Sequence, residues 1–334
     1  MQSRKKIFIH IGTNKTGTSA IQRFFNSKRK ELMAQGLLYP RTGCAGDAHY
    51  ELSRVLGFDY GKQIDLQTER AVFLEKFNTE FEQSRCETCI ISSENFVLPK
   101  NVAMVRGFFA DFDCYIVVYF RRHDHWWVSA YNQAVRMVVH PPWVLGFHGF
   151  LDFHRKKNPA FGNYRALLDR WKKVFGQENI IVRPYEGEQN QPNIVVDFLT
   201  AIGSVELCSI LSPSDVPQIN KSLDCRSTFL LDTFQRMDVD DHVRRSLIDY
   251  VMKNVDPNSD EQIVSPDIRR QLVDKENQQY EYIAQEYLHR PDGVLFLEPL
   301  PDPQAVWAKP KYPSLVEVAN TVAKVLTAPD MHSK

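Results

Sequence analysis

From Gly12 to Ser19 the chain reads Gly-Thr-Asn-Lys-Thr-Gly-Thr-Ser, two glycines with four residues between them. A short apolar run, Ile7 to Ile11, precedes it, and from Ser19 the apolar residues recur at helical spacing. The segment therefore lies between a strand and a helix, where backbone N–H groups and the helix dipole hold a phosphate. Lys15 sits in the crown of the loop, so its ammonium would lie beside the terminal bridging oxygen of a short phosphate chain. Thr18 and Ser19 follow as hydroxyls for the anchoring phosphate. Chemistry at such an anion also needs a proton acceptor, and His49, in Ala48-His-Tyr50, titrates in a suitable range. His10 is read as packing within its strand. His123-Asp-His125 does not make a metal site, because residues two apart on a helix point to different sides.

The loop is close to the triphosphate pattern G-x-x-x-x-G-K-[ST], but Thr18 stands where that pattern needs lysine. It resembles more specifically the 5′-phosphosulfate-binding loop of sulfotransferases that use 3′-phosphoadenosine-5′-phosphosulfate (PAPS). The usual form there is P-K-[ST]-G-[TS]-[TS], with Asn14 here in place of the proline. The resemblance implies that Asn14, Lys15, Thr16, Gly17, Thr18 and Ser19 bind the 5′-phosphosulfate, and that Lys15 stabilises the leaving oxygen. In that family an arginine closing a strand and a serine eight residues later grip the 3′-phosphate. Arg121 and Ser129 match this spacing, with Arg122 as the alternative arginine. A glutamate often serves as base in the carbohydrate-modifying branch, and Glu94 follows the strand-like Cys89–Ser93. Glu94 and His49 both stand as candidate bases. Ile91–Phe96, Tyr131–Gln133, Trp171–Gly176 and Gln218–Leu223 also look like bacterial members, while the C-terminal adenosine-binding segment of the cytosolic small-molecule branch is absent. The implied activity is sulfuryl transfer from PAPS to a hydroxyl or amine of a small molecule, carbohydrate or glycoconjugate. The product would be adenosine 3′,5′-bisphosphate, and no metal is required. Two other readings remain open: a phosphotransferase using ATP and magnesium, and a noncatalytic nucleotide-binding module.

Trp126, Trp127, Tyr131, Trp143, Phe147, Phe150 and Phe153 crowd one stretch, interleaved with Arg136, His140, His148 and His154. Apolar faces beside cationic donors suit a sugar ring. Half of these aromatics are expected to be core. The loop from Pro141 to Phe150, with Trp143 and Phe147, is expected to border the acceptor cleft.

The elements that must position these residues follow from periodicity. Strands are expected at Ile7–Ile11, Cys89–Ser93, Tyr115–Phe120 and Ile180–Arg183. Helices are expected from Ser19 through Leu32, and near Thr68–Arg85, Asp124–Val139 (with Asp124 as N-cap), Asn163–Phe175 and Asn193–Ile202. Tyr115–Phe120 is apolar throughout, as a parallel strand covered on both faces should be. Beyond about residue 203 helices dominate, near Thr228–Met237, Val243–Met252 and Asp267–Leu288, before a proline-rich extended segment, Pro299–Pro313. The expected class is α/β: a three-layer P-loop-type parallel sheet flanked by helices, with a helical C-terminal elaboration. A single domain over residues 1–334 is expected, its core about 5–205 and the helical part about 206–334.

Of 334 residues 43% are apolar, enough for a substantial core, and 41 basic residues balance 41 acidic ones. That balance argues against a globally basic nucleic-acid binder. The N-terminal apolar run is too short for a signal peptide or membrane span, so a cytoplasmic protein is expected. Six cysteines in this length make no disulfide framework, and Cys86-Glu-Thr-Cys89 reads as two ordinary thiols beside a strand.

Overall fold

The computed structural model describes residues 4–13, 15–59, 66–212, 223–256, 259 and 261–327. In chain order the elements are β1 (Lys6–His10), α1 (Thr18–Ser27), α2 (Arg29–Ala34), β2 (Leu37–Leu38), α3 (Tyr50–Val55), α4 (Gln67–Ser84) and β3 (Thr88–Ser92). Then come α5 (Ala103–Phe108), β4 (Asp113–Phe120), α6 (His123–Met137), α7 (Phe147–Lys157), α8 (Tyr164–Phe175), β5 (Ile180–Pro184) and α9 (Ile194–Ala201). The last are α10 (Cys225–Phe234), α11 (Asp241–Lys253), α12 (Pro266–Asp274), α13 (Asn277–Leu288) and α14 (Leu315–Leu326). They sort into two compact units, each made of three separate stretches: 1–122, 163–218 and 277–298 in the first, 123–162, 219–276 and 299–334 in the second.

The first unit is built on a five-stranded sheet of order β2-β3-β1-β4-β5, parallel throughout. The continuous apolar runs become its central strands because helices cover both faces. On one face Phe8, Ile90, Val117 and Tyr119 meet Ile21, Phe24 and Phe25 of α1 and Val195 and Phe198 of α9. On the other, Phe120 stacks on Tyr164 of α8 at 4.2 Å, and Phe58 and Phe96 pack on Trp171 of the same helix. Asn163 caps α8 by accepting from the Ala166 N–H at 2.8 Å, and Gly176 ends it at φ 83°. β1 runs on into α1 against one face, while β3 runs on towards Phe96 against the other. Adjacent strands whose connections part in this way open a crevice at their carboxyl ends. The strands expected from sequence are present, and the short edge strand β2 is an addition. One expected helix divides at Lys28 into α1 and α2, and Leu32 of α2 joins the same core as Ile21, Phe24 and Phe25.

The second unit is helical. Trp126, Trp127 and Tyr131 of α6 pack with Trp143, with Phe147 and Phe150 of α7, with Leu230, Leu231 and Phe234 of α10 and with Val251 of α11. The buried carboxylate of Asp232 ties three of its segments together. It accepts from the Tyr131 hydroxyl (2.7 Å) and the Gly146 N–H (2.8 Å) and pairs with Arg236 (2.9 Å). Asp124 is not the N-cap of α6. It lies inside the first turn, fully buried and paired with Arg269 of α12 at 2.6 Å. The long helix expected over Asp267–Leu288 is two helices, α12 in this unit and α13 in the first. Pro299–Pro313 carries neither helix nor strand, as expected.

The expectation for Trp143 and Phe147 is corrected here. Their side chains are 4% and 3% exposed and belong to this helical core, so they do not wall a cleft. Phe147 opens α7, a helix that the glycines and crowded aromatics hid in the sequence. The exposed apolar residues of the stretch are instead Met137, Val139, Val144 and Leu145, with Val144 77% exposed. Trp143→Ala and Phe147→Ala should each destabilise the protein by about 3–5 kcal/mol, as large-to-small core changes do. Val144→Ala should stay within roughly 0.5 kcal/mol. Urea unfolding of the three variants checks this, and a Trp143→Ala variant as stable as the parent would remove that side chain from the core.

Candidate active site

The loop after β1 closes tightly enough to require its first glycine. A Cβ on Gly12 would lie 2.1 Å from the Thr18 methyl. Two threonine hydroxyls hold the loop's shape: Thr13 donates to the Tyr119 carbonyl at 2.7 Å, and Thr16 to the Thr13 carbonyl at 2.6 Å. Gly17 enters α1 at φ 77°, and a side chain there would press on Tyr185 and Ile194. The N-cap of α1 is Gly17, which has no side chain to cap it, and the first turn holds no acid, so this positive helix end suits an anion. Lys15 adopts φ 68°, a left-handed conformation that costs a non-glycine residue about 1–2 kcal/mol. Such strain is stored where a backbone must take one particular shape. Arg121, just past β4, donates to the Lys15 carbonyl at 3.2 Å. Thr18 is buried by its methyl contact and Ser19 is exposed. Asn14 lies outside the described residues, as does Gln218–Leu223 apart from Leu223.

Glu94 stands past β3, in a short 3-10 turn capped by Ser93. Its Oε2 accepts from the Gln22 amide at 3.0 Å and from the Tyr50 hydroxyl at 2.8 Å. Gln22 also donates to the Ser92 hydroxyl at 3.1 Å, and that hydroxyl meets His10 Nδ1 at 2.9 Å. Thr18 and Gln22 are four apart on α1 and share its buried face, so the helix that faces the loop also delivers an amide to Glu94. His10 is fully buried, with Phe198 and Tyr119 at its ring, and burial pushes its pKa down to about 4, with the Glu94 charge opposing in part. Its Nε2, close to Gly12, has no hydrogen-bond partner among the described residues.

His49 is not placed to act as a base. It is fully buried, its Nε2 on the Pro40 carbonyl at 3.0 Å and its Nδ1 accepting the Ser92 N–H at 3.1 Å. Burial pushes its pKa down to about 3. Both nitrogens serve to pin β3 to the chain after β2. Arg122 is likewise committed: 3% exposed, it donates to the Glu298 carbonyl at 2.8 Å and pairs with that carboxylate at 3.4 Å. Arg121 is the arginine beside the loop. Ser129, half-buried on α6, belongs to the second unit. Gln22, Tyr50 and His10 are the residues the sequence reading missed as parts of this site. The available signal was a glutamine among the apolar positions of α1.

Among the described residues no group of three His, Cys, Asp or Glu side chains could hold a metal ion, and no helix is long and apolar enough to cross a membrane. The six cysteines are free, and Cys86 and Cys89 are buried.

No family model matches the chain. An uncharacterized protein of Archaeoglobus fulgidus is 34% identical over 89 residues, which are 26% of this chain and only 22% of that relative. A solved sulfotransferase from Alicyclobacillus acidocaldarius aligns with a TM-score of 0.41 and 19% identity, over 70% of this chain and 94% of its own.

The buried histidines make stability depend on pH. His10 and His49 are neutral when folded, with pKa values near 4 and 3, but take up a proton near pH 6.5 when unfolded. The unfolded chain then binds more protons, so stability is full above about pH 6.5 and falls as pH drops towards 4, by up to about 1.4 kcal/mol per pH unit for each histidine. His123 of the second unit, also held near 4 by burial, adds in the same direction. Urea midpoints between pH 7 and pH 4.5 should show this decline, and His49→Gln should make it shallower, leaving the part due to His10 and His123. An unchanged slope in that variant would mean that His49 is not held neutral.

Proposed function

We propose that this protein is a PAPS-dependent sulfotransferase. The observation that carries the reading is the loop itself: Lys15 at its crown in a strained conformation, Arg121 bonded to its backbone, and the uncapped start of α1 beneath. That arrangement suits a short phosphosulfate chain better than a triphosphate, whose lysine would follow Gly17. The donors of the loop fit the group by chemistry, since an uncapped helix start and a lysine favour an anion.

PAPS supplies an activated sulfuryl group on its 5′-phosphate. Glu94 takes the proton from the acceptor O–H or N–H as that atom bonds to sulfur. The S–O bond to the phosphate breaks, and Lys15 with the N–H groups at the start of α1 stabilises the charge left on the phosphate oxygen. Arg121 is assigned the 3′-phosphate, which its planar fork can hold by two hydrogen bonds. With Trp143 and Phe147 in a core, a carbohydrate or glycoconjugate acceptor rests on Glu94 as base.

Lys15→Ala should lower turnover by about two to three orders of magnitude, as loss of an oxyanion donor does, while affinity for adenosine 3′,5′-bisphosphate falls much less. Arg121→Ala should weaken that ligand by about 2–3 kcal/mol and leave adenosine 5′-monophosphate nearly unchanged. Turnover of radiolabelled PAPS against sugars, glycolipids and phenols, with calorimetric titrations, reads these effects. Tight binding of ATP with magnesium and no transfer from PAPS to any acceptor would turn the assignment to a phosphotransferase. Binding of the bisphosphate without transfer would leave a nucleotide-binding module.

A further inference from the structure

A carboxylate has two oxygens, and in Glu94 they are treated differently. Oε2 takes both available bonds, from Gln22 of α1 and Tyr50 of α3. Among the described residues none donates to Oε1. The Gln22 amide is held in one sense: its two hydrogens go to Glu94 and to Ser92, and turned over it would set its carbonyl against the carboxylate. Ser92 accepts from Gln22, and its hydroxyl also meets His10 Nδ1 at 2.9 Å. The array therefore runs unbroken from the buried imidazole of β1 to the carboxylate beyond β3.

We propose that Gln22 and Tyr50 are positioning residues that anchor Glu94 through Oε2 and so present Oε1 as the proton acceptor, with Ser92 and His10 holding Gln22 in register. This rests on Glu94 being the base of the proposed sulfuryl transfer. A carboxylate fixed at one oxygen keeps the lone pairs of the other at one place, which lowers the entropy lost on reaching the transfer geometry. Gln22 thereby links the helix whose start faces the anion to the group that takes the proton.

The test uses transfer from PAPS to water, which needs no identified acceptor. The water oxygen bonds to sulfur, its proton passes to Oε1, and the S–O bond to the 5′-phosphate breaks to release sulfate and adenosine 3′,5′-bisphosphate. Gln22→Met keeps the length of the side chain without its N–H groups, and Tyr50→Phe removes only a hydroxyl. Each should lower kcat about tenfold and leave the KM for PAPS and the affinity for adenosine 3′,5′-bisphosphate within about twofold. Variants that melt earlier but keep the parental kcat would overturn the proposal, because the two residues would then be structural only. If the parent protein neither binds the bisphosphate nor releases sulfate, the sulfotransferase reading fails, and a second measurement still judges the array. In NMR spectra Glu94→Ala should move one of the two Gln22 side-chain N–H resonances and leave the one bonded to Ser92 in place. Two unmoved resonances would overturn the anchoring whatever the reaction.

Discussion

β1 is paired along its whole length on both sides, His10 opposite Ser92 of β3 and opposite Val117 of β4. This double register sets the carboxyl ends of three strands at related heights, and the groups of the site stand on those ends. The Gly12 loop leaves β1, Glu94 follows β3 and Arg121 follows β4. A slip of one residue between β1 and β3 would turn His10 away from Ser92, and one between β1 and β4 would reverse which β4 side chains face α1. Backbone pairing thus fixes a geometry that no single side chain could fix.

Helix α1 then does two things with one buried face. It starts on a glycine with no acid in its first turn, and a turn later the same face carries a glutamine into the sheet. A polar side chain at such a position would be costly unless its hydrogens were used. Gln22 uses both, on Ser92 and Glu94. The polar contacts of this centre are therefore mutually dependent, while His10 Nε2 is a buried nitrogen with no partner among the described residues.

The parts legible in the sequence are those with a local cause. Ile7–Ile11 and Tyr115–Phe120 read as buried parallel strands because nothing polar interrupts them, and Gly12 and Gly17 mark a loop that only small residues allow. The place of Glu94 after a strand was legible in the same way. His49 was not, because its partners, the Pro40 carbonyl and the Ser92 N–H, come from chain segments that only folding brings together. Trp143 and Phe147 misled for another reason: aromatic side chains serve a core and a sugar cleft equally well, and composition cannot tell which. The division at Lys275 and Glu276 was hidden because both flanking segments are good helices, and only their membership of different units separates them.

The interleaving of the two units bears on how the chain can be made. Neither unit is a continuous stretch of sequence, so no truncation at one end yields either of them whole. The sheet-bearing unit still lacks α13 until residues 277–288 have left the ribosome, by which point most of the helical unit has also emerged. Domains of many chains fold one after another during synthesis. Here the first unit is not whole before residue 298, nor the second before the stretch that begins at 299, so both are finished late.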